Sequence, residues 1–157
     1  QPMHLGDLAL VANAEIYNHR ELRAELEAEG ARFRTECDVE VLLHAHQHWG
    51  LDLLQRLEGF FAFALWDGSR RRLLLARDRF GIAPMVWTRV GGQLLFASEV
   101  KGLLVHPGVN PGLDVGTLDD VLALVEVSLI AGAHCKGIVR GVRYVGVSEI
   151  NCFVSTV

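Results

Sequence analysis

Few side chains in these 157 residues combine type and spacing in a way that could do chemistry. Cys37, Cys135 and Cys152 are odd in number and irregularly spaced. They define no disulfide framework and read as small buried or partly buried thiols in a reducing compartment. His44 and His48 stand four apart and could share a metal on a helix, but no third ligand accompanies them. With His46 they read as a solvated helix face, so no metal is expected. The run Arg70-Arg71-Arg72 reads as a solvated loop, not a phosphate site. There is no glycine-rich phosphate loop, and no serine lies in a nucleophile elbow. Two polar residues at element boundaries remain. Asn13 follows the apolar run 8–12, where it could end a strand in an Asx turn, and Asp38 precedes a helical stretch, where it could be an N-cap. Singly, neither announces a function.

Bulk composition narrows the field. Half of the residues are hydrophobic and 22% charged, the balance of one globular domain. A net charge of -4 provides no basic footprint for nucleic acid or anionic lipid. No apolar run approaches the ~20 residues of a membrane-spanning helix. The opening Gln-Pro-Met-His-Leu-Gly-Asp has neither the charged region nor the apolar core of a signal peptide, so a cytoplasmic location is expected. Because the chain begins with Gln1, it reads as a processed chain or an excerpt of a longer one.

The elements that must position these residues follow from periodicity. Residues 8–12 suit a buried strand. Asn18 and Glu21 have capping-box spacing before a helix over 18–29, with Glu21, Arg23 and Glu25 toward water and Gly30 at its end. A short strand is expected at 33–35, a helix from Asp38 to Gly50, and a further short helix over 52–57. From Phe60 the pattern becomes continuous and aromatic, and strands are expected at 60–66, 73–76, 85–88 and 94–97. Asp67-Gly68 and Gly91-Gly92 provide hairpin turns, and 79–84 another turn. Trp49, Trp66 and Trp87 fall on apolar faces and read as core. A helix over 117–127 and a glycine-interrupted β-rich stretch over 139–147 complete the reading. Helices followed by an antiparallel meander make this an α+β layered fold.

Three stretches together are more specific than any single residue. They are Asn13-Ala14-Glu15-Ile16-Tyr17-Asn18-His19-Arg20-Glu21-Leu22, Phe33-Arg34-Thr35-Glu36-Cys37-Asp38-Val39-Glu40-Val41-Leu42-Leu43, and the aromatic strand through Ala76-Arg77-Asp78-Arg79-Phe80-Gly81-Ile82. In order and spacing the chain resembles the class II glutamine amidotransferase domain of glutamine-hydrolysing asparagine synthetases. Ala97-Ser98-Glu99-Val100-Lys101-Gly102-Leu103-Leu104 continues the likeness. It is close over 1–114, a partial amidotransferase domain, and faint over 115–157, a tail that could close the same domain, with Lys136-Gly137-Ile138 as its last landmark.

The resemblance implies a four-layer αββα N-terminal-nucleophile hydrolase sandwich, incomplete at its N-terminus. It implies hydrolysis of glutamine to glutamate and ammonia, which a synthetase domain uses with ATP and Mg to amidate aspartate. That domain is the implied partner, and ATP and Mg belong to it, so no cofactor is expected within these residues. A homodimer is an open reading. By resemblance, the Asn13 side chain and the Ala14 N–H form the oxyanion hole, Glu15 lines the substrate pocket, and Asp38 meets the substrate ammonium.

Departures from the pattern carry consequences. The family's nucleophile is a cysteine at residue one, whose own α-amine is the base. Cys37, Cys135 and Cys152 are internal, so the chain as given is expected to be an inactive fragment, short of both that cysteine and the synthetase half. Ala14 replaces a usual glycine, which places oxyanion binding in doubt if the position needs positive φ. It leans toward the alternative, a structural domain of a cysteine-less relative of the β-lactam synthetase or lasso-peptide cyclase type. Ala83 replaces a usually basic residue, read as drift within a hairpin.

Overall fold

The computed structural model describes residues 1–110, 112, 143–144 and 151–156. The expected helix over 117–127 lies outside them, as does most of 139–147. The described strands form two antiparallel sheets. The larger is ordered β1 (Met3–Leu5), β2 (Leu8–Ile16), β3 (Gly59–Asp67), β4 (Arg72–Arg77) and β8 (Asn151–Thr156). The smaller runs β6 (Gln93–Ala97), β5 (Val86–Val90) and β7 (Arg143–Tyr144).

Side-chain alternation sets the layers. On one face of the larger sheet, Leu8, Leu10, Ile16, Phe61, Phe63 and Leu65 pack against helices α1 (His19–Ala28) and α2 (Glu40–Trp49). On the other face, Ala62, Ala64 and Leu75 meet Ala83 and Met85, which lead into the second sheet. Behind that sheet, Val86 packs with Leu103 of the short helix α4 (Val100–Leu104). The order helix, sheet, sheet, helix is the expected four-layer α+β sandwich. Ala83 and Met85 are buried between the sheets, where a basic residue would have to give up its hydration.

Several local expectations change. β2 runs on to Ile16, because Ala12, Ala14 and Ile16 keep turning inward while Asn13 and Glu15 turn outward. Asn13 therefore sits within a strand, not in an Asx turn. Residues 33–35 form no strand. Asn18 makes no capping bond to its helix. Its amide instead donates to the Arg56 carbonyl at 2.8 Å and its carbonyl accepts from the Glu58 N–H at 3.0 Å. At the other end of α1 the Gly30 N–H bonds the Glu27 carbonyl and the Ala31 N–H the Leu26 carbonyl, with φ of +96° at Gly30. This is a Schellman stop that needs glycine there. Arg23 is not simply in water: its guanidinium lies 4.5 Å over the Phe33 ring and donates to the Thr35 carbonyl. The 52–57 helix resolves into a 3-10 turn, Gly50–Asp52, and α3, Leu53–Arg56.

Gly59 opens β3 opposite Ile16 with φ of +137°, and a Cβ there would come 2.1 Å from the Glu15 carbonyl oxygen. Backbone cannot yield as a side-chain tip can, so β2 and β3 would have to separate at that rung. Gly59→Ala is expected to destabilise the fold by at least ~2 kcal/mol. Urea unfolding measures it, and a midpoint equal to that of the unsubstituted protein would contradict the close approach.

Candidate active site

The candidate residues gather along β2, Ala14 and Asp38 at its open edge and Asn13 and Glu15 on the face toward the second sheet. Gln1 reaches across to Ala12, its side-chain amide donating to the Ala12 carbonyl at 2.7 Å and its carbonyl accepting from the Ala12 N–H at 2.8 Å. Four residues on, the Ile16 N–H donates to Asp38 Oδ2 at 2.8 Å. On the opposite side of the strand, the Tyr17 N–H bonds the Glu58 carbonyl. Even-numbered residues of β2 thus turn their peptide groups away from β3. Ala14 lies between the two tethered rungs, and its N–H and C=O face an edge with no strand beside it among the described residues.

Ala14 is not among the residues with positive φ, so its Cβ is unstrained. The methyl group is directed to the helical side, against the core. The expectation at this position turns on positive φ, which Ala14 does not adopt.

Asn13 projects from the other face of β2 into a cleft of about 240 Å³ between the sheets, walled by Val11, Ala62, Ala64, Met85 and Phe96. Its carboxamide has no hydrogen-bond partner among the described residues. Glu15 projects from the same face of the strand and is exposed. Asp38 is half-buried, and one oxygen is occupied by Ile16, leaving Oδ1 with only the Cys37 Sγ, at 3.8 Å, among the described residues. Asp38 is therefore no helix cap: Val39 occupies that position and α2 begins at Glu40. Cys37 is exposed, contrary to the expected burial.

The loop before Asp38 is held by a residue that sequence reasoning missed. Glu40 is buried, and its carboxylate accepts from the Arg34 N–H at 2.8 Å, the Thr35 N–H at 2.8 Å and the Thr35 hydroxyl at 2.5 Å. Burial works against its charge. The bonds from Thr35 and Arg34 outweigh burial and hold the carboxyl below its ordinary range. The Thr35 hydroxyl oxygen in turn accepts from the Cys37 N–H at 3.2 Å. A side-chain acceptor six residues downstream leaves no periodic signal. The one available clue was a glutamate inside an otherwise apolar stretch.

Asp78 does the same work for the turn over 79–84. It is buried and accepts from the N–H groups of Phe61, Ile82 and Ala83. This fixes the approach of Met85 to the cleft wall.

The histidines of α2 do not form one solvated face: His48 is exposed, but His44 and His46 turn inward. His44 is buried with its ring 4.3 Å from Phe33, His46 lies 3.8 Å from Asp67, and His48 pairs with Glu29 at 3.0 Å. Among the described residues, no group of histidine, cysteine and carboxylate side chains could hold a metal ion. Burial lowers the pKa of His44 against the pull of Glu40, and that of His46 against the pull of Asp67. Asp67 resists its own burial through bonds from Ser69 and Arg70 and is held well below the carboxylate range.

Acid stability follows with a definite sign. Both histidines protonate near pH ~6.5 in the unfolded chain but only lower in the folded one. Their contribution is complete above that pH and is lost as the pH falls. Glu40 and Asp67 contribute fully above about pH 4, and their share is lost below it. The thermal midpoint is expected to fall from pH 7 to 5.5 and again below pH 4, with His44→Leu flattening the first limb. An unchanged midpoint between pH 7 and 5.5 would contradict this.

Two antiparallel sheets stacked between helical layers make the architecture of an N-terminal-nucleophile amidotransferase. The glutamine amidotransferase domain family matches residues 1–151, and the chain belongs to that family. Asparagine synthetase [glutamine-hydrolyzing] 3 of Bacillus subtilis is 41% identical over 128 residues, which cover 79% of this chain and 21% of that protein. Asparagine synthetase [glutamine-hydrolyzing] 1 of the same organism is 46% identical over 107 residues, 67% of this chain and 17% of that one. Among solved structures, the glutamine phosphoribosylpyrophosphate amidotransferase from B. subtilis complexed with ADP and GMP aligns with a TM-score of 0.59 at 27% identity. That alignment covers 67% of this chain and 26% of the other. The chain spans about a fifth of the length of these curated relatives. It is a glutamine amidotransferase domain of the kind found in asparagine synthetase-like proteins. Among the described residues no helix is long and apolar enough to cross a membrane.

Proposed function

We propose that this chain is the substrate-holding part of the glutaminase half of an asparagine synthetase. In this reading Asn13 Nδ2 and the Ala14 N–H bind the oxyanion formed when the glutamine amide is attacked. Asp38 Oδ1 binds the substrate ammonium, and Glu15 lines the pocket. One observation carries the assignment: the Ala14 N–H, unpaired among the described residues, and the Asp38 carboxylate share one strand edge. The Ala14 N–H and the Ile16 N–H that anchors Asp38 lie two residues apart on the strand, about 7 Å at the rise of a β-strand. That is on the order of the span of a glutamine molecule from its side-chain amide to its α-ammonium. The same substrate can therefore engage an oxyanion donor at one end and a charge partner at the other.

The thiolate that attacks requires a free α-amine as its base, and Cys37 is an internal residue. We place the nucleophile, and the ATP- and Mg-using synthetase that consumes the ammonia, in the remainder of a longer enzyme. The cysteine-less alternative leaned on Ala14, whose backbone is unstrained.

Glutamine labelled with ¹⁵N at its amide tests this function in the full-length enzyme supplied with aspartate, ATP and Mg. Label is expected in asparagine, and the isolated 157 residues are expected to release no ammonia. Unlabelled asparagine from the full-length enzyme, or steady ammonia release by the isolated chain, would contradict the proposal.

A further inference from the structure

We propose that Glu40 and Thr35 are positioning residues that set glutamine selectivity by holding Asp38 toward the substrate ammonium, an inference that rests on the role given to Asp38 above. Asp38 is attached to the fold from two sides. Its Oδ2 is anchored by the Ile16 N–H on β2. Its backbone follows a loop, residues 34–37, that forms no helix or strand of its own.

That loop is ordered by a relay of three links. The Cys37 N–H donates to the Thr35 hydroxyl oxygen, that hydroxyl donates to Glu40, and Glu40 also takes the N–H groups of Arg34 and Thr35. Cys37 immediately precedes Asp38, so the relay ends one peptide from the carboxylate. Glu40 itself lies in the first turn of α2, where the helix dipole favours a negative charge, and it is buried on the rigid side of the loop.

The geometry separates the two jobs. Neither Glu40 nor Thr35 belongs to the strand where Ala14 and Asn13 stand. Loosening the relay therefore frees Asp38 to wander without disturbing the oxyanion donors. A substrate with an α-ammonium suffers from that freedom, while one without it does not. Burial of Glu40 in the core cluster's neighbourhood makes its replacement the harsher change. Thr35 is exposed and offers the milder one.

The experiment compares two amides as substrates for the full-length enzyme: glutamine, and 4-carbamoylbutanoate, which is glutamine without its α-amino group. Glu40→Gln and Thr35→Val are each expected to raise KM for glutamine about fivefold or more with kcat within about twofold. Both should lower the preference for glutamine over 4-carbamoylbutanoate by the same factor as the KM change. Thr35→Ser, which keeps the hydroxyl, is expected to restore it. A general loss of structure would instead depress both substrates in proportion, and that result overturns the proposal.

Asp38→Asn separates this inference from its foundation. If Asp38→Asn loses the preference while Glu40→Gln and Thr35→Val keep it, the positioning role fails and the site assignment stands. If Asp38→Asn also keeps it, the assignment of Asp38 fails and this inference with it. Should Glu40→Gln fail to fold, the Thr35→Val and Thr35→Ser pair decides the question alone.

Discussion

Asn13→Ala in the full-length enzyme is expected to lower kcat for glutamine hydrolysis by about 100- to 1,000-fold while KM stays nearly constant. The magnitude follows from what the donor does. The substrate's amide oxygen is neutral in the ground state and carries a developing negative charge once the thiolate adds. A carboxamide donor aimed at that oxygen strengthens its bond only at that stage. Asn13 has no partner among the described residues and stands in a strand paired to β3 along its length. Its side chain is thus available without having to abandon another bond. Because that side chain is exposed, its truncation should leave the thermal midpoint nearly unchanged. A rise in KM with unchanged kcat would make Asn13 a ground-state contact and not an oxyanion donor.

Replacing Asp38 acts on the other end of the substrate. Asp38→Asn is expected to reduce kcat/KM for glutamine by about 30- to 1,000-fold, the range for removing one partner of a close charge pair. Asparagine keeps a carbonyl oxygen that can accept from the Ile16 N–H, so β2 retains its tether while the negative charge is gone. Asp38→Ala removes both. It should match Asp38→Asn in activity loss and in addition lower stability, since the half-buried Ile16 N–H loses its acceptor. Parallel kinetics and melting curves on the pair separate charge recognition from strand anchoring. Equal stability of the two variants would mean that the bond to Ile16 is dispensable. An unchanged kcat/KM in Asp38→Asn would remove Asp38 from the substrate site.

The layered fold was legible because burial imposes period on the sequence. The continuous run 60–66 reads as a strand covered on both sides, and both faces are covered, by the helices and by the second sheet. The Gly30 stop of α1 was legible for the same local reason, a left-handed residue at a helix end. Expectations failed where tertiary partners replaced local ones. The strand at Asn13 continues because inward alternation persists at Ala12, Ala14 and Ile16, although the apolar run itself ends. Phe33 to Thr35 alternates like a strand, yet two of its three N–H groups, those of Arg34 and Thr35, are taken by the side chain of Glu40. Asn18 has the spacing of a capping box, but its amide is spent bridging to Arg56 and Glu58. His44 and His46 are covered because the first turns of that helix pack against α1 and the sheet, whereas His48, near its end, stays exposed.

Asn13, Ala14, Glu15 and Asp38 were reached through resemblance, and their meeting along β2 could not be read from residues 25 positions apart. The tether from Asp38 to Ile16 brings the two stretches together. Gln1, which closes the Ala12 rung and so delimits the open edge, lies within the stretch that carries the resemblance, but its pairing with Ala12 had no signature in the sequence.

The central claim is that a glutamine lies along the edge of β2 with its amide at Asn13 and Ala14 and its ammonium at Asp38. A crystal structure of the full-length enzyme, inactivated by an electrophilic glutamine analogue that traps the nucleophile, measures this directly. The account predicts the analogue's oxygen within hydrogen-bond distance of both Asn13 Nδ2 and the Ala14 N–H, with its ammonium on Asp38 Oδ1. An analogue bound with its oxygen turned away from β2, or with its ammonium paired to a different carboxylate, would contradict it.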